Sequence, residues 1–145
     1  MTARPRDERG SAAIEAAIGL SAFLLFLGLI IAGGRLALAH QALQSAAADA
    51  ARTASIARDA GEADSAARRE TTTSLNNQNL RCRSAQVSVD TSGFRVPTGQ
   101  AADVTVTLTC RVDLADLSVP GVPGSRLIRA TMSSPIDTWR ERGLQ

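Results

Sequence analysis

The side chains best suited to redox or metal chemistry in this 145-residue sequence are two cysteines, Cys82 and Cys110, and one histidine, His40. An even pair of cysteines favours a disulfide if the segment lies outside the cytoplasm, with two reduced, buried thiols as the alternative. The disulfide would contribute about 3–4 kcal/mol on the chain-entropy model. A structural zinc site needs four ligands, so two cysteines and one distant histidine predict no metal site.

Catalysis by His40 would require a nucleophile and an orienting group beside it. Ser45 and Asp49 could be brought to the same helix face, but no nucleophile motif surrounds them. We therefore interpret His40 as an interfacial polar residue. Four arginines are interpreted as part of a solvated face, because no glycine-rich phosphate loop accompanies them: Arg68, Arg69, Arg81 and Arg83. The sequence thus predicts no enzyme activity, no cofactor and no small-molecule substrate.

The charge balance argues against nucleic-acid binding. The formal net charge is +2, and all sixteen basic residues are arginines that are scattered along the chain with acids between them. Nucleic-acid binding would need a basic face and aromatic platforms for the bases. The chain has three Phe, one Trp and no Tyr, so we expect no nucleic-acid partner.

A charge-free apolar run covers residues 16–34 and includes AFLLFLGLII. At about 1.5 Å per helical residue it nearly crosses a hydrocarbon core about 30 Å thick, and residues 11–17 can extend it. Three interpretations are open: a cleaved secretory signal, a permanent anchor, and the stem of a pilin-like protein. A signal could be cut near Ala37-Leu38-Ala39, but signal cores are shorter, about 7–15 residues. Arginines ahead of the run predict a cytoplasmic N-terminus and an extracytoplasmic C-terminal domain: Arg4, Arg6 and Arg9.

Glu15 lies just inside the entrance to this run. A charge at the centre of a membrane helix costs about 2.5–3.5 kcal/mol on insertion scales, and less near an end. In a plain anchor, Glu15 would snorkel to the interface and favour the positive end of the helix dipole. The short polar leader that ends at Gly10, followed by Ser11 and a glutamate at the fifth position, resembles a type IV prepilin processing site. The resemblance implies cleavage between Gly10 and Ser11, with Glu15 as a docking charge for the new amine of Ser11.

Beyond the apolar run, small apolar residues recur at three- and four-residue spacing, which indicates an amphipathic helix. This stripe comprises Leu36, Ala39, Leu43, Ala46, Ala47, Ala50, Ala54 and Ala57. We predict one continuous helix over residues 11–60 that stops at Gly61, and a second helix over residues 62–75 before a turn at 76–79. Alanines in the outer half and glycines in the membrane half would let this helix pack closely against its neighbours.

After Cys82 the apolar period changes to two, which indicates strands. Residues 86–89 and 103–113 alternate, and residues 127–135 are a candidate third strand. Between the first two strands, TSGFRVPTGQ predicts a hairpin loop. In the second strand, one face is predicted to be buried and carries Val104, Val106, Leu108, Cys110 and Val112.

The segments RGSAAIEAAIGL and RLALAHQALQSAAADAARTA resemble the TadE-like family, minor pseudopilins of the tight-adherence (Flp-type) pilus machinery. The later order, a Cys-containing hairpin, a Pro-Gly loop and the closing SPIDTWRE, resembles the family's actinobacterial members. The resemblance implies a non-enzymatic subunit in the lipid bilayer. It also implies partners, namely a prepilin peptidase, other pilins or pseudopilins, and the Tad secretion platform with its ATPase.

These observations predict an α+β protein with a long N-terminal helix, half transmembrane and half amphipathic and extracytoplasmic. A small domain with a β-hairpin or a three-stranded antiparallel sheet follows. The expected divisions are a charged cytoplasmic leader (1–10), a transmembrane helix (11–35), an extracytoplasmic helical region (36–80) and a β-rich domain (81–145). The expected function is that of a minor pilin-like subunit that assists assembly or initiation of a Flp-type pilus or related secretion filament. The alternative is a single-pass anchored extracytoplasmic binding or envelope protein that enters no filament.

Overall fold

A helix of 48 residues, α1 (Glu8–Ser55), forms the axis of the structure. The computed structural model describes residues 8–113 and 124–139, with side chains from residue 12 onward. Helix α1 is followed by one further helix and by three strands that form an antiparallel sheet in the order β1–β2–β3. The predicted α+β fold with a three-stranded sheet is confirmed. The elements after α1 are α2 (Ala60–Asn77), β1 (Ser84–Asp90), a 3₁₀ turn (Ser92–Arg95), β2 (Ala102–Asp113) and β3 (Ser125–Ile136).

The outer half of α1 packs on the sheet through the predicted stripe. Leu43 and the alanines from Ala46 to Ala54 in this stripe are at most 1% exposed, and Ala39 and Ala57 are also buried. Helix α1 contacts β2 and β3, while α2 packs beside α1 and reaches β1. The core therefore lies between a layer of two helices and one face of the sheet. Ala51, Ala63 and Ala67 are buried there as well, which the stripe alone did not indicate.

Helix α1 ends at Ser55, five residues before the predicted end, and Gly61 is not its stop. The carboxylate of Asp59 accepts a hydrogen bond from the Glu62 backbone N–H at 2.8 Å, and the Glu62 side chain accepts one from the Arg58 N–H at 2.9 Å. The first bond satisfies a backbone donor that the first turn of a helix leaves without a partner, and the second holds the residue that precedes the cap. A new helix therefore begins at Ala60, and Gly61 lies in its first turn.

Helix α2 extends two residues past its predicted end and then closes in a Schellman motif. The Leu80 N–H donates to the Leu75 carbonyl and the Asn79 N–H donates to the Asn76 carbonyl, both at 3.1 Å. Asn79 has a φ of 53°, the left-handed conformation that this motif requires and that Asn tolerates well. The predicted turn at 76–79 is therefore part helix and part cap. It directs Leu80 back onto the core.

The sheet confirms the two-residue period of β2. All five apolar side chains predicted on its buried face are at most 3% exposed. On the opposite face, hydroxyl groups pair across β2 and β3, Thr105 with Ser133 at 2.9 Å and Thr107 with Thr131 at 3.0 Å. A polar, hydroxyl-rich surface therefore covers the face of the sheet that points away from the helices.

The loop between β1 and β2 is anchored to the domain by Phe94, which is buried. The adjacent Gly93 lies so close to the Asp103 carbonyl oxygen that a Cβ atom would overlap it. This close approach explains why the loop has glycine at that position. Residues 114–123, in which we expected a second loop, lie outside the described residues.

Two contacts fix how the sheet lies along α1. The Ser134 hydroxyl donates to the Ser55 hydroxyl at 3.0 Å, so the end of β3 meets the end of α1. Val112, near the end of β2, lines a cleft with Arg35 and Leu38. The end of β2 and the start of β3 therefore lie beside the part of α1 where the apolar run ends.

Replacement of Ala50 by Leu should lower the free energy of unfolding by about 1–3 kcal/mol, because extra methyl groups overpack a close helix–sheet contact. Ala50 is 0% exposed. The matched control is Ala48→Leu, at an exposed position of the same helix. Urea denaturation of the full chain in a mild detergent, followed by circular dichroism, measures both. Equal stability of the two variants would contradict the close packing of this face.

Candidate assembly surface

The N-terminal half of α1 exposes a continuous apolar surface. Its large apolar side chains between Ile14 and Ile31 are 41–69% exposed, although a soluble monomer rarely leaves so large an apolar area in water. The helix is long and apolar enough to cross a membrane over Ala12–Ser55, and the other described residues bury none of its most apolar stretch. Lipid or the helices of other subunits can cover this surface.

Glu15 lies on that surface, beside a shallow depression of about 490 Å³ lined by Ile14, Ile18 and Gly19. Within the described residues its carboxylate makes no ion pair or hydrogen bond. A carboxylate inside an apolar medium is costly unless an opposite charge or donors accompany it. In an apolar medium, a partner for this carboxylate would have to come from outside the described part of the chain.

The glycines of this half do not serve packing within the chain. A Cβ atom built on Gly19, Gly28, Gly33 or Gly34 would meet no atom within 4 Å. At about 100° per residue, Glu15, Gly19 and Gly33 lie within roughly 40° of one another around the axis. They therefore form one side of the helix, where a neighbouring helix could approach closely next to the carboxylate.

The predicted processing junction, Gly10 and Ser11, lies in the first turns of α1, which begins at Glu8. The junction is thus on helical backbone, four to five residues ahead of Glu15 on the same helix. The segment from residue 1 to residue 7, most of the predicted leader, lies outside the described residues. Cleavage between Gly10 and Ser11 stays a prediction.

The three residues considered for catalysis are not brought together. His40 and Ser45 are exposed, and Asp49 accepts a hydrogen bond from the Ser74 hydroxyl at 3.3 Å, which joins α1 to α2. Nine residues separate His40 from Asp49, and at about 100° per residue they lie on opposite sides of the helix. Asp49 thus has a structural contact, and nothing in the described residues places a nucleophile near His40.

The four arginines predicted to share a solvated face are divided between two regions. Arg68 forms a bidentate ion pair with Asp64, in which Nε and Nη2 donate to the two carboxylate oxygens at 2.7 and 2.9 Å. Its Nη1 also donates to the Val87 carbonyl at 3.2 Å. The hydrogen bonds from Arg68 hold the pKa of the Asp64 carboxyl below its ordinary value. Arg81 and Arg83 lie near the other end of β1, where Arg83 pairs with Asp113 at 3.2 Å.

Cys82 and Cys110 form a disulfide with a Cα–Cα distance of 5.4 Å. Cys110 is fully buried in β2, and Cys82 precedes β1. The bond thereby holds the segment between α2 and β1 against the sheet. This segment carries Arg81 and Arg83, whose positions depend on the crosslink.

The fold and this surface define a protein with one membrane-capable helix that continues into a small α+β domain. Residues 10–52 match the family described as TadE-like protein, which confirms the resemblance over α1. The chain is thus TadE-like in the segment that carries Gly10, Glu15 and most of the alanine stripe, and the family associates it with pilus-related membrane proteins. Comparison with curated proteins and with solved structures gave no match.

The match ends inside α1, so α2 and the sheet lie beyond it. The actinobacterial affinity that we expected from those later elements remains a prediction. The expected boundary between residues 35 and 36 does not interrupt the helix, because α1 runs through it.

The sequence did not predict the left-handed conformation of Asn79 or the close approach of Gly93 to the Asp103 carbonyl. The only signals for them were an Asn-rich turn and a single glycine.

Removal of the disulfide in the Cys82→Ser, Cys110→Ser double variant should lower the free energy of unfolding by about 3–4 kcal/mol, since the unfolded chain gains the entropy of an open loop of 28 residues. Urea denaturation of the full chain in detergent measures the loss. Reductant should destabilise the parent chain to a similar extent and leave the double variant unchanged. A double variant as stable as the oxidised parent would refute a stabilising crosslink.

Proposed function

We propose that this protein is a non-enzymatic, minor pilin-like subunit that assists assembly or initiation of a Flp-type pilus or a related secretion filament. One observation carries the proposal: the exposed apolar stretch of α1 over residues 12–34 contains a single charged residue, Glu15, within the segment that matches the TadE-like family. A plain lipid anchor does not require this charge, whereas a subunit that docks through its helix can use it to bind an amine of the same or a neighbouring subunit.

The proposed orientation places the N-terminus in the cytoplasm and the domain outside, with the apolar half of α1 in the bilayer. Cleavage between Gly10 and Ser11 by a prepilin peptidase would leave a positive amine at Ser11, four residues from Glu15. The amine of the same or a neighbouring subunit would neutralise the carboxylate in the apolar medium, which offsets the cost of its burial. Glycines on the same side of the helix would let the neighbouring helix approach this pair.

The partners in this proposal are the lipid bilayer, other pilins or pseudopilins, the prepilin peptidase and the Tad secretion platform. The chain divides accordingly into a leader (1–10), a transmembrane segment (11–35), an extracytoplasmic helical region (36–80) and a β-rich domain (81–145). Because α1 is one unbroken helix, contacts made inside the membrane would fix the position of the external domain relative to the filament.

The Glu15→Gln variant should insert into the membrane normally but lose assembly with its pilin partners. Loss of one member of a desolvated ion pair costs about 3–5 kcal/mol, which corresponds to an association more than 100-fold weaker. Native gel electrophoresis of solubilised membranes and the yield of filaments measure the effect in the native host. The matched control is Glu70→Gln on α2, outside the membrane segment.

Normal assembly of Glu15→Gln would refute the docking role. That result would favour the alternative of an anchored extracytoplasmic binding or envelope protein, since such a protein should tolerate the change.

The mature protein extracted from its native membrane should begin at Ser11. Mass spectrometry of the intact protein, with N-terminal sequencing, detects the loss of the ten-residue leader. A Gly10→Leu variant should retain the leader because a bulky side chain replaces the residue at the junction. An N-terminus at Met1 or Thr2 in the parent protein would contradict processing, and one near His40 would indicate a secreted domain instead.

A further inference from the structure

A cleft of about 450 Å³ lies where the external domain meets the end of the apolar half of α1. Arg35 and Leu38 of α1 form one wall, and Leu80, Arg81 and Val112 contribute from the domain. Arg35 is the first charged residue after the charge-free run, and residue 81 lies beside it only because the chain folds back. The fold thus brings together two arginines that are 46 positions apart.

The position of the cleft relative to a bilayer follows from the unbroken helix. The apolar run ends at Gly34, so Arg35 and Leu38 lie within about 6 Å along the axis beyond it. Leu38 is 65% exposed, although the neighbouring Ala39 is already buried by the domain. An exposed leucine next to an arginine at this depth suits the boundary between headgroups and acyl chains.

The charge around the cleft favours an anion. Two arginines line the cleft, and none of the described lining residues is an aspartate or glutamate. The same end of the sheet carries three more arginines: Arg83 directly before β1, Arg111 on β2 and Arg126 on β3. The one acidic residue described there, Asp113, pairs with Arg83 at 3.2 Å. The end of the domain that faces the bilayer is therefore basic.

We propose that this cleft binds the headgroup of an anionic phospholipid in the leaflet from which the domain emerges. Arg35 and Arg81 bind the phosphate, since guanidinium groups match the planar geometry of phosphate oxygens. Leu38 and Leu80 contact the glycerol and the first methylenes of the acyl chains. The inference rests on the proposed membrane anchoring of α1, but not on docking by Glu15 or on the direction of insertion.

A headgroup fits this cleft better than a free anion does. A free phosphate would use only the two arginines and would leave the apolar wall in water. A lipid uses both halves of the cleft, and it is already held at the correct depth by the bilayer. The bound lipid would also restrict the tilt of α1 and its attached domain relative to the membrane plane, which a single membrane helix leaves free.

The experiment uses the full chain in nanodiscs that contain phosphatidylglycerol and phosphatidylcholine in equal amounts. Native mass spectrometry counts the lipids that remain bound after release from the disc. The test variant is Arg35→Gln, Arg81→Gln. The matched control is Arg58→Gln, Arg95→Gln, which removes the same charge from the end of the domain away from the cleft. A third arm adds inorganic phosphate to the parent protein.

The parent protein and the control should retain phosphatidylglycerol over phosphatidylcholine. The test variant should lose this preference by about 30-fold, since each basic residue near an anionic surface contributes roughly a factor of five. Equal retention of the two lipids by the parent, or an unchanged preference in the test variant, would overturn the inference alone. Complete displacement of the lipid by inorganic phosphate would show an anion site and not a headgroup site. Failure of the chain to enter nanodiscs would overturn the membrane anchoring as well.

Discussion

The close contact between the alanine stripe of α1 and the sheet is the interaction on which the rest of the structure depends. Alanine side chains bury little apolar area, so the stripe supplies modest hydrophobic free energy of its own. Its value is geometric, because the sheet can approach the helix backbone closely. Larger side chains on the facing sheet, such as Val104, Val106 and Leu108, then fill the remaining space. A thin core of this kind explains why a disulfide inside it matters for stability.

A single unbroken helix joins this core to the membrane-capable apolar half. Helix α1 is 48 residues long, which corresponds to about 72 Å. The same element carries Glu15 at one end and the alanine stripe at the other. No loop interrupts the helix between the apolar half and the domain, so the two are joined by continuous helical backbone. Both the proposed docking charge and the proposed lipid cleft use this continuity, the first to join subunits and the second to orient the domain at the bilayer surface.

The sequence predicted the features that depend on periodicity and on single residues. The charge-free run, the three- and four-residue stripe and the alternation in β2 each involve neighbours along one element, so their physics is local. Helix ends were less accurate because they depend on side chains that compete for the same backbone groups. Asp59 and Glu62 together begin α2 and exclude Gly61 as a stop, whereas a glycine near the end of a stripe usually indicates one.

The sequence alone determined that α1 has an apolar half and an amphipathic half, that Glu15 is the single charge among apolar neighbours, and that β2 has one buried face. Each follows from residue type and spacing. Only the tertiary structure decided that Arg81 joins Arg35 where the apolar half of α1 ends and that Asp49 bonds to Ser74 across two helices. These pairs are distant in sequence, and their meeting depends on where α2 ends and how the sheet lies along α1. No local pattern encodes that geometry, because it is set by the packing of whole elements.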